Sequence, residues 1–181
     1  NNSSCGENHL KLCEKVINLY REDYNQIVLF PHSVENGKDI YNCDLALTRY
    51  LYNKLTNKEN IFLIEDTNLT YRQARAIVGL MDFYITGRYH SIASALFMAV
   101  PVISLAWHIK YKDIMNLFLD DSPIVDCRKL NVEQSFSLIK KYYYNREWFD
   151  KVKVLEKKDK INKEIDRSIK LIVDEITKYK N

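Results

Sequence analysis

The chain has 181 residues, enough for one domain with a sizeable core, and 46% hydrophobic with 28% charged residues is the balance of a folded globular protein. A formal net charge of +3 is too small to argue for nucleic acid. No apolar run approaches the roughly 20 residues that span a bilayer, and no charged start followed by an apolar run marks a signal peptide.

The apolar pattern alternates between short β-rich runs and longer helical ones. HLKLCEKVINLY has helical spacing; QIVLF, ended by Pro31, suits a buried strand; CDLALTRYLYNKL returns to helical spacing; and NIFLIED is a second strand. TYRQARAIVGLM reads as a helix with Thr70 as its N-cap. Then come the strand DFYIT, the helix SIASALFMA, the strand PVISLAW, the helix YKDIMNLFL, the short strand PIVD and the helix NVEQSFSLIKKYYYN. Strands separated by helices of this length require crossover connections, hence a largely parallel, Rossmann-like α/β sheet flanked by helices. Residues 1–145 read as this domain.

Residues 146–181 read as a helical extension. Ile161, Ile165, Ile169, Ile172, Ile176 and Tyr179 recur at spacings of three and four, giving an apolar stripe that needs a cover: this domain, a second domain or another copy. The run KVKVLEKKDKINKEIDR within it mixes Lys with Asp and Glu, as on a solvated helix face. Cys5, Cys13, Cys43 and Cys127 form no CxxC pair and no zinc spacing, so inert thiols in a cytoplasmic protein, with no metal, are expected. The NLT at Asn68 reads as a chance match to a glycosylation pattern.

In parallel α/β sheets, ligands bind outside the carboxyl ends of the strands. Here those loops collect residues that are or can become cations: His32 and Lys38, beside Asp39, after the first strand, Arg88 and His90 after the third, and His108, Lys110 and Lys112 after the fourth. Glu65 and Asp66 follow the second. The third loop is the most suggestive. Gly87 permits a tight turn, Arg88 brings a planar charged fork, His90 a donor or proton, and Ser91 a cap for a helix whose open N–H groups favour anions. The plain alternative is a surface arginine beside a capping histidine; the joint pattern, with Lys110 beyond the next strand, weighs against it but leaves both readings open.

ITGRYHSIASALFMAVPVISLAWHIKYKDIM resembles the C-terminal part of the polysaccharide pyruvyl transferases, where Arg-x-His follows a strand, a GVPV turn follows a small-residue helix, and a Lys follows an aromatic residue. The matching positions are Arg88 and His90, then Ala99, Val100, Pro101 and Val102, then Trp107 and Lys110; upstream, Pro31, His32 and Asp39 also fit. Ala99 replaces the usual glycine, and Trp107 a frequent tyrosine.

The resemblance implies one half of a two-domain GT-B fold, the donor-binding half of a longer transferase, facing a missing N-terminal domain and inactive alone. It implies transfer of pyruvyl from phosphoenolpyruvate to two hydroxyls of a carbohydrate acceptor, forming a ketal in cell-surface polysaccharide biosynthesis, with no cofactor. Arg88, Ser91, Lys110 and Trp107 would bind substrate, and His90 and His32 would act as acid and base. The expected location is cytoplasmic, peripheral to the membrane where the acceptor is lipid-linked. Two alternatives stay open: a GT-B glycosyltransferase using a nucleotide-sugar, and a non-catalytic α/β module that forms a homo-oligomer through its tail helix.

Overall fold

The computed structural model describes residues 2–23, 26–34 and 43–178, with side chains from residue 7 onward. The elements run α1 (Asn2–Glu22), β1 (Ile27–Leu29), α2 (Asp44–Lys54), β2 (Ile61–Leu63), α3 (Tyr71–Gly79), β3 (Tyr84–Thr86), α4 (Tyr89–Phe97), β4 (Val102–Ala106), α5 (Lys110–Phe118), β5 (Ile124–Asp126), α6 (Val132–Tyr144) and α7 (Lys151–Lys178). The chain is therefore the α/β protein with a long C-terminal helix that the alternation of runs implies.

All strand pairs are parallel. β1 pairs with β2, setting Ile27 opposite Ile61 and Leu29 opposite Leu63, and β4 lies between β3 and β5. All five residues of β4, VISLA, are buried, because helices cover both faces and leave no place for a polar alternation. The expected single sheet is split into two ladders, β1-β2 and β3-β4-β5. Side chains join them instead. Ile27 packs both with Leu29, Leu51 and Ile61 and with Ile103, Leu105 and Val125, while Phe30 reaches the core beneath α4 and α5. The loops after β1 and β3 thus belong to different ladders whose strands share side-chain packing.

Local chemistry sets the helix ends. Thr70 caps α3 and Asn131 caps α6, each in a capping box with a glutamine three residues on, Gln73 and Gln134. α4 closes with Ala99 at φ 52, where the Ala99 amide donates to Leu96 O at 3.1 Å and the Val100 amide to Ala95 O at 2.9 Å. This is the left-handed helix ending that glycine usually supplies. Buried Val100 seals it against Ala95.

Among the described residues, the contacts of α7 lie at its start. Val154 is buried, Ile161 packs on the same core, and Lys157 reaches Asp120 at 2.6 Å. Farther along, Ile165, Ile169, Ile172 and Ile176 are 46% to 59% exposed, and Tyr179 lies outside the described residues. Among the described residues no helix is long and apolar enough to cross a membrane.

Thr70→Ala removes one cap from a short helix and is expected to lower stability by about 1 kcal/mol. Urea unfolding followed by circular dichroism would measure it; an unchanged midpoint would mean that the capping box contributes nothing.

Candidate active site

The site is organised by Asp44, the first residue of α2. Its carboxylate accepts the one Arg88 Nε hydrogen, shared between Oδ1 at 3.0 Å and Oδ2 at 3.1 Å, and a hydrogen bond from Arg88 Nη2 at 2.6 Å. Its Oδ2 also accepts the amide of His32 at 3.2 Å and of Ser33 at 2.9 Å. The loops after β1 and β3 are thereby tied to one side chain. The fork-to-carboxylate geometry fixes the plane of the guanidinium as well as its position.

His32 lies against this pair, its ring 4.7 Å from Phe30 and 6.4 Å from Tyr84. Its Nε2 is buried and has no hydrogen-bond partner among the described residues. Burial pushes the imidazole below its usual range, and the charges of Arg88 and His90 push the same way against Asp44. His32 is thus a neutral imidazole with an unsatisfied nitrogen, which in a native protein calls for a ligand, a water or a proton. His90 is exposed at the head of α4, with its ring edge-on to Tyr89.

His9, on α1, joins the group. Burial lowers its affinity for a proton, and it feels the charges of both Asp44 and Arg88. Its Nε2 lies 3.7 Å from Cys13 Sγ. Burial pushes that thiol up to about 12, so the pair does not make a nucleophile. Tyr84 is likewise raised to about 12 by burial, against hydrogen bonding toward Ser91 and Thr86, and stays neutral.

Three details differ from the sequence reading. α4 begins at Tyr89, with Arg88 as its N-cap residue, so Ser91 is not a cap. Ser91 is instead a fully buried position within the first turn, and its amide is already bonded to Arg88 O at 3.1 Å. The open end of the helix is therefore formed by the amides of Tyr89 and His90. Gly87 has no left-handed backbone; a side chain there would meet the Leu105 carbonyl at 3.3 Å, so its role is close approach to β4. Asp44, which the sequence reading did not single out, is the carboxylate bonded to Arg88 among the described residues; Asp39 and Lys38 lie outside them.

Lys110 and Trp107 form one rim. The Lys110 ammonium sits over the rings of Trp107 at 5.1 Å, Tyr89 at 5.4 Å and Tyr111 at 5.7 Å. The Tyr111 hydroxyl donates to Gly87 O at 2.8 Å, locking this rim to the Arg88 turn. His108 and Lys112 face elsewhere, into a cleft beside β5. Glu65 pairs with Arg49, and Asp66 accepts the Asn68 amide at 2.8 Å, so the acids after β2 have local partners. Among the described residues no group of three or more His, Cys, Asp or Glu side chains is arranged to hold a metal ion.

His9, His32, Asp44, Arg88, His90 and Trp107 all fall within residues 7–109, which match the family model for polysaccharide pyruvyl transferase. The match covers more than half of the chain, and the protein belongs to that family. No curated protein and no solved structure matches it.

His9 and His32 are both held below their usual value of 6.5 in the folded state. The unfolded chain takes up protons first as pH falls through that value, so stability is full above it and declines below it. The urea midpoint should therefore drop between about pH 7 and pH 5, and His9→Gln with His32→Gln should flatten the slope. An equal slope in the double variant would assign the acid sensitivity to other groups.

Proposed function

We propose that this protein acts in the transfer of a pyruvyl group from phosphoenolpyruvate to two hydroxyls of a carbohydrate, and that this chain binds the donor. The observation that carries the reading is the Arg88 guanidinium, held by Asp44 on the turn between β3 and α4, with His32 nearby, whose Nε2 has no hydrogen-bond partner among the described residues. Phosphoenolpyruvate carries a carboxylate and a phosphate on a small frame, so it needs several fixed donors in one place. Arg88, the open amides at the head of α4, His90 and the Lys110 rim are those donors.

The reaction adds one proton to the methylene carbon, making it a methyl group. A sugar hydroxyl oxygen bonds to the adjacent carbon, phosphate leaves from it, and the second hydroxyl oxygen closes the ketal. Of the two hydroxyl protons released, one balances the new methyl and the other leaves on phosphate. His32, neutral and half-buried, suits proton acceptance from a hydroxyl, and His90, exposed beside Arg88, suits contact with the leaving phosphate. On this reading the acceptor would lie between this wall and a second domain, so donor binding rather than turnover is the readout for this chain.

Titration calorimetry of phosphoenolpyruvate into the chain at low ionic strength tests the reading. Arg88→Ala is expected to weaken binding by roughly 100-fold, and Arg88→Lys to recover only part of it, because an ammonium cannot keep the two-point grip on Asp44 that positions the charge. Binding that is unchanged in Arg88→Ala, or a nucleotide-sugar that binds where phosphoenolpyruvate does not, would overturn it.

A further inference from the structure

One peptide plane in the turn between β3 and α4 is held at both of its polar ends. The Gly87 carbonyl accepts the Tyr111 hydroxyl at 2.8 Å, and the Arg88 amide, in the same plane, donates to Thr86 Oγ1 at 3.1 Å. Thr86 closes β3, whereas Tyr111 stands in the first turn of α5, so the plane is gripped from two elements. Tyr111 is itself well fixed: it is 1% exposed, and its ring stands edge-on to Tyr89 at 6.2 Å and to Trp107 at 5.7 Å. Burial pushes its phenol up, against the nearby charge of Arg88, so the hydroxyl keeps the proton it donates.

Gly87 makes that plane the weak point of the turn. A side chain there would meet the Leu105 carbonyl at 3.3 Å, so the close approach to β4 selects glycine, and glycine restrains its own backbone angles less than any other residue. Rotation of the plane changes ψ of Gly87 and φ of Arg88 and tilts the bond from which the Arg88 side chain starts. Asp44 grips the far end of that side chain at Nε and Nη2. The arginine is thus fixed at its tip by a carboxylate and at its root by two hydroxyls.

We propose that Tyr111 and Thr86 are positioning residues for the donor site, clamping the Gly87–Arg88 plane so that Arg88 is aimed at its anion. Both act through Arg88 and neither is assigned a contact with the anion. The Tyr111 ring also lies under the Lys110 ammonium at 5.7 Å, so the same side chain sets the spacing between the two cations of the site. The step from Arg88 to donor affinity rests on the phosphoenolpyruvate reading; the hold on Arg88 does not.

Tyr111→Phe removes the hydroxyl and keeps the ring under Lys110. Thr86→Val removes the hydroxyl at the opposite end of the plane, and Thr86→Ser retains one. Nuclear magnetic resonance of the isotope-labelled, ligand-free chain reads the Arg88 Nε–H resonance and the exchange rate of the Arg88 amide, and calorimetry with phosphoenolpyruvate reads the donor. In Tyr111→Phe and in Thr86→Val the Nε–H resonance should shift, the amide should exchange about fivefold faster, and donor affinity should fall about fivefold. Thr86→Ser should match the unaltered chain. Thr70→Ala, which lowers stability at α3, should change none of the three readouts. Arg88 signals that stay unmoved in either hydroxyl-less variant, or that move equally in Thr70→Ala, would refute the clamp, as would a loosened Arg88 with undiminished donor affinity. No phosphoenolpyruvate binding to the unaltered chain, with Arg88 freed in both variants, would leave the hold on Arg88 standing and remove the donor assignment. Equal binding in every variant with Arg88 unmoved would remove the clamp alone.

Discussion

Asp44 accepts hydrogen bonds from a guanidinium on the loop after β3 and from two backbone amides on the loop after β1, and those loops belong to sheets that share no ladder. Side-chain packing of Ile27 and Phe30 brings the two ladders alongside each other, but packing alone is tolerant of small slides. A carboxylate that holds three donors in fixed directions is not. Its placement as the first residue of α2 adds a second reason for its charge, since an acid there faces the positive end of the helix. Removing it would leave Arg88 and two amides without their acceptor, and an unmade bond to a charged group costs more than a made one contributes.

The surroundings of that carboxylate divide labour among the cations. Arg88 is pinned and half-exposed, Lys110 is spread over three aromatic faces, and the imidazoles of His9 and His32 are kept neutral by burial. The positive charge is therefore carried by Arg88 and Lys110 around the turn between β3 and α4, while the buried imidazoles beside it add none. Under the proposed donor role, an incoming anion would meet donors that already face it, with little reorganisation left to do at the moment of reaction.

Much of the fold was legible because the hydrophobic periodicity switches cleanly at each element and the caps at Thr70 and Asn131 carry their own residue signature. Arg88 and His90 were legible for a different reason, as charge beside a glycine at a strand end. Asp44 and His9 were not, since an acid opening a helix and a histidine on a helical stripe are ordinary in sequence, and only the packing of α1 and α2 against the β3 turn brings them to the site. Ser91 was misread because serine at a helix start looks like a cap, whereas the chain enters the helix earlier and turns that hydroxyl inward. The cleft beside β5 was invisible, being made by residues from α5 and from the turn after β5 that no spacing rule relates.

The long tail has a consequence of its own. At roughly 1.5 Å per residue α7 extends about 42 Å, yet only its opening turns are held by Val154, Ile161 and the Lys157–Asp120 pair. The outer part, from Ile165 on, is about as long as the shortest peptides that keep any helix in water, and it lacks the packing that normally supplies helix stability. Its amides should therefore exchange with solvent far faster than those of β4. Any surface that comes to lie on those isoleucines would slow that exchange, which makes the backbone of α7 a built-in reporter of contact.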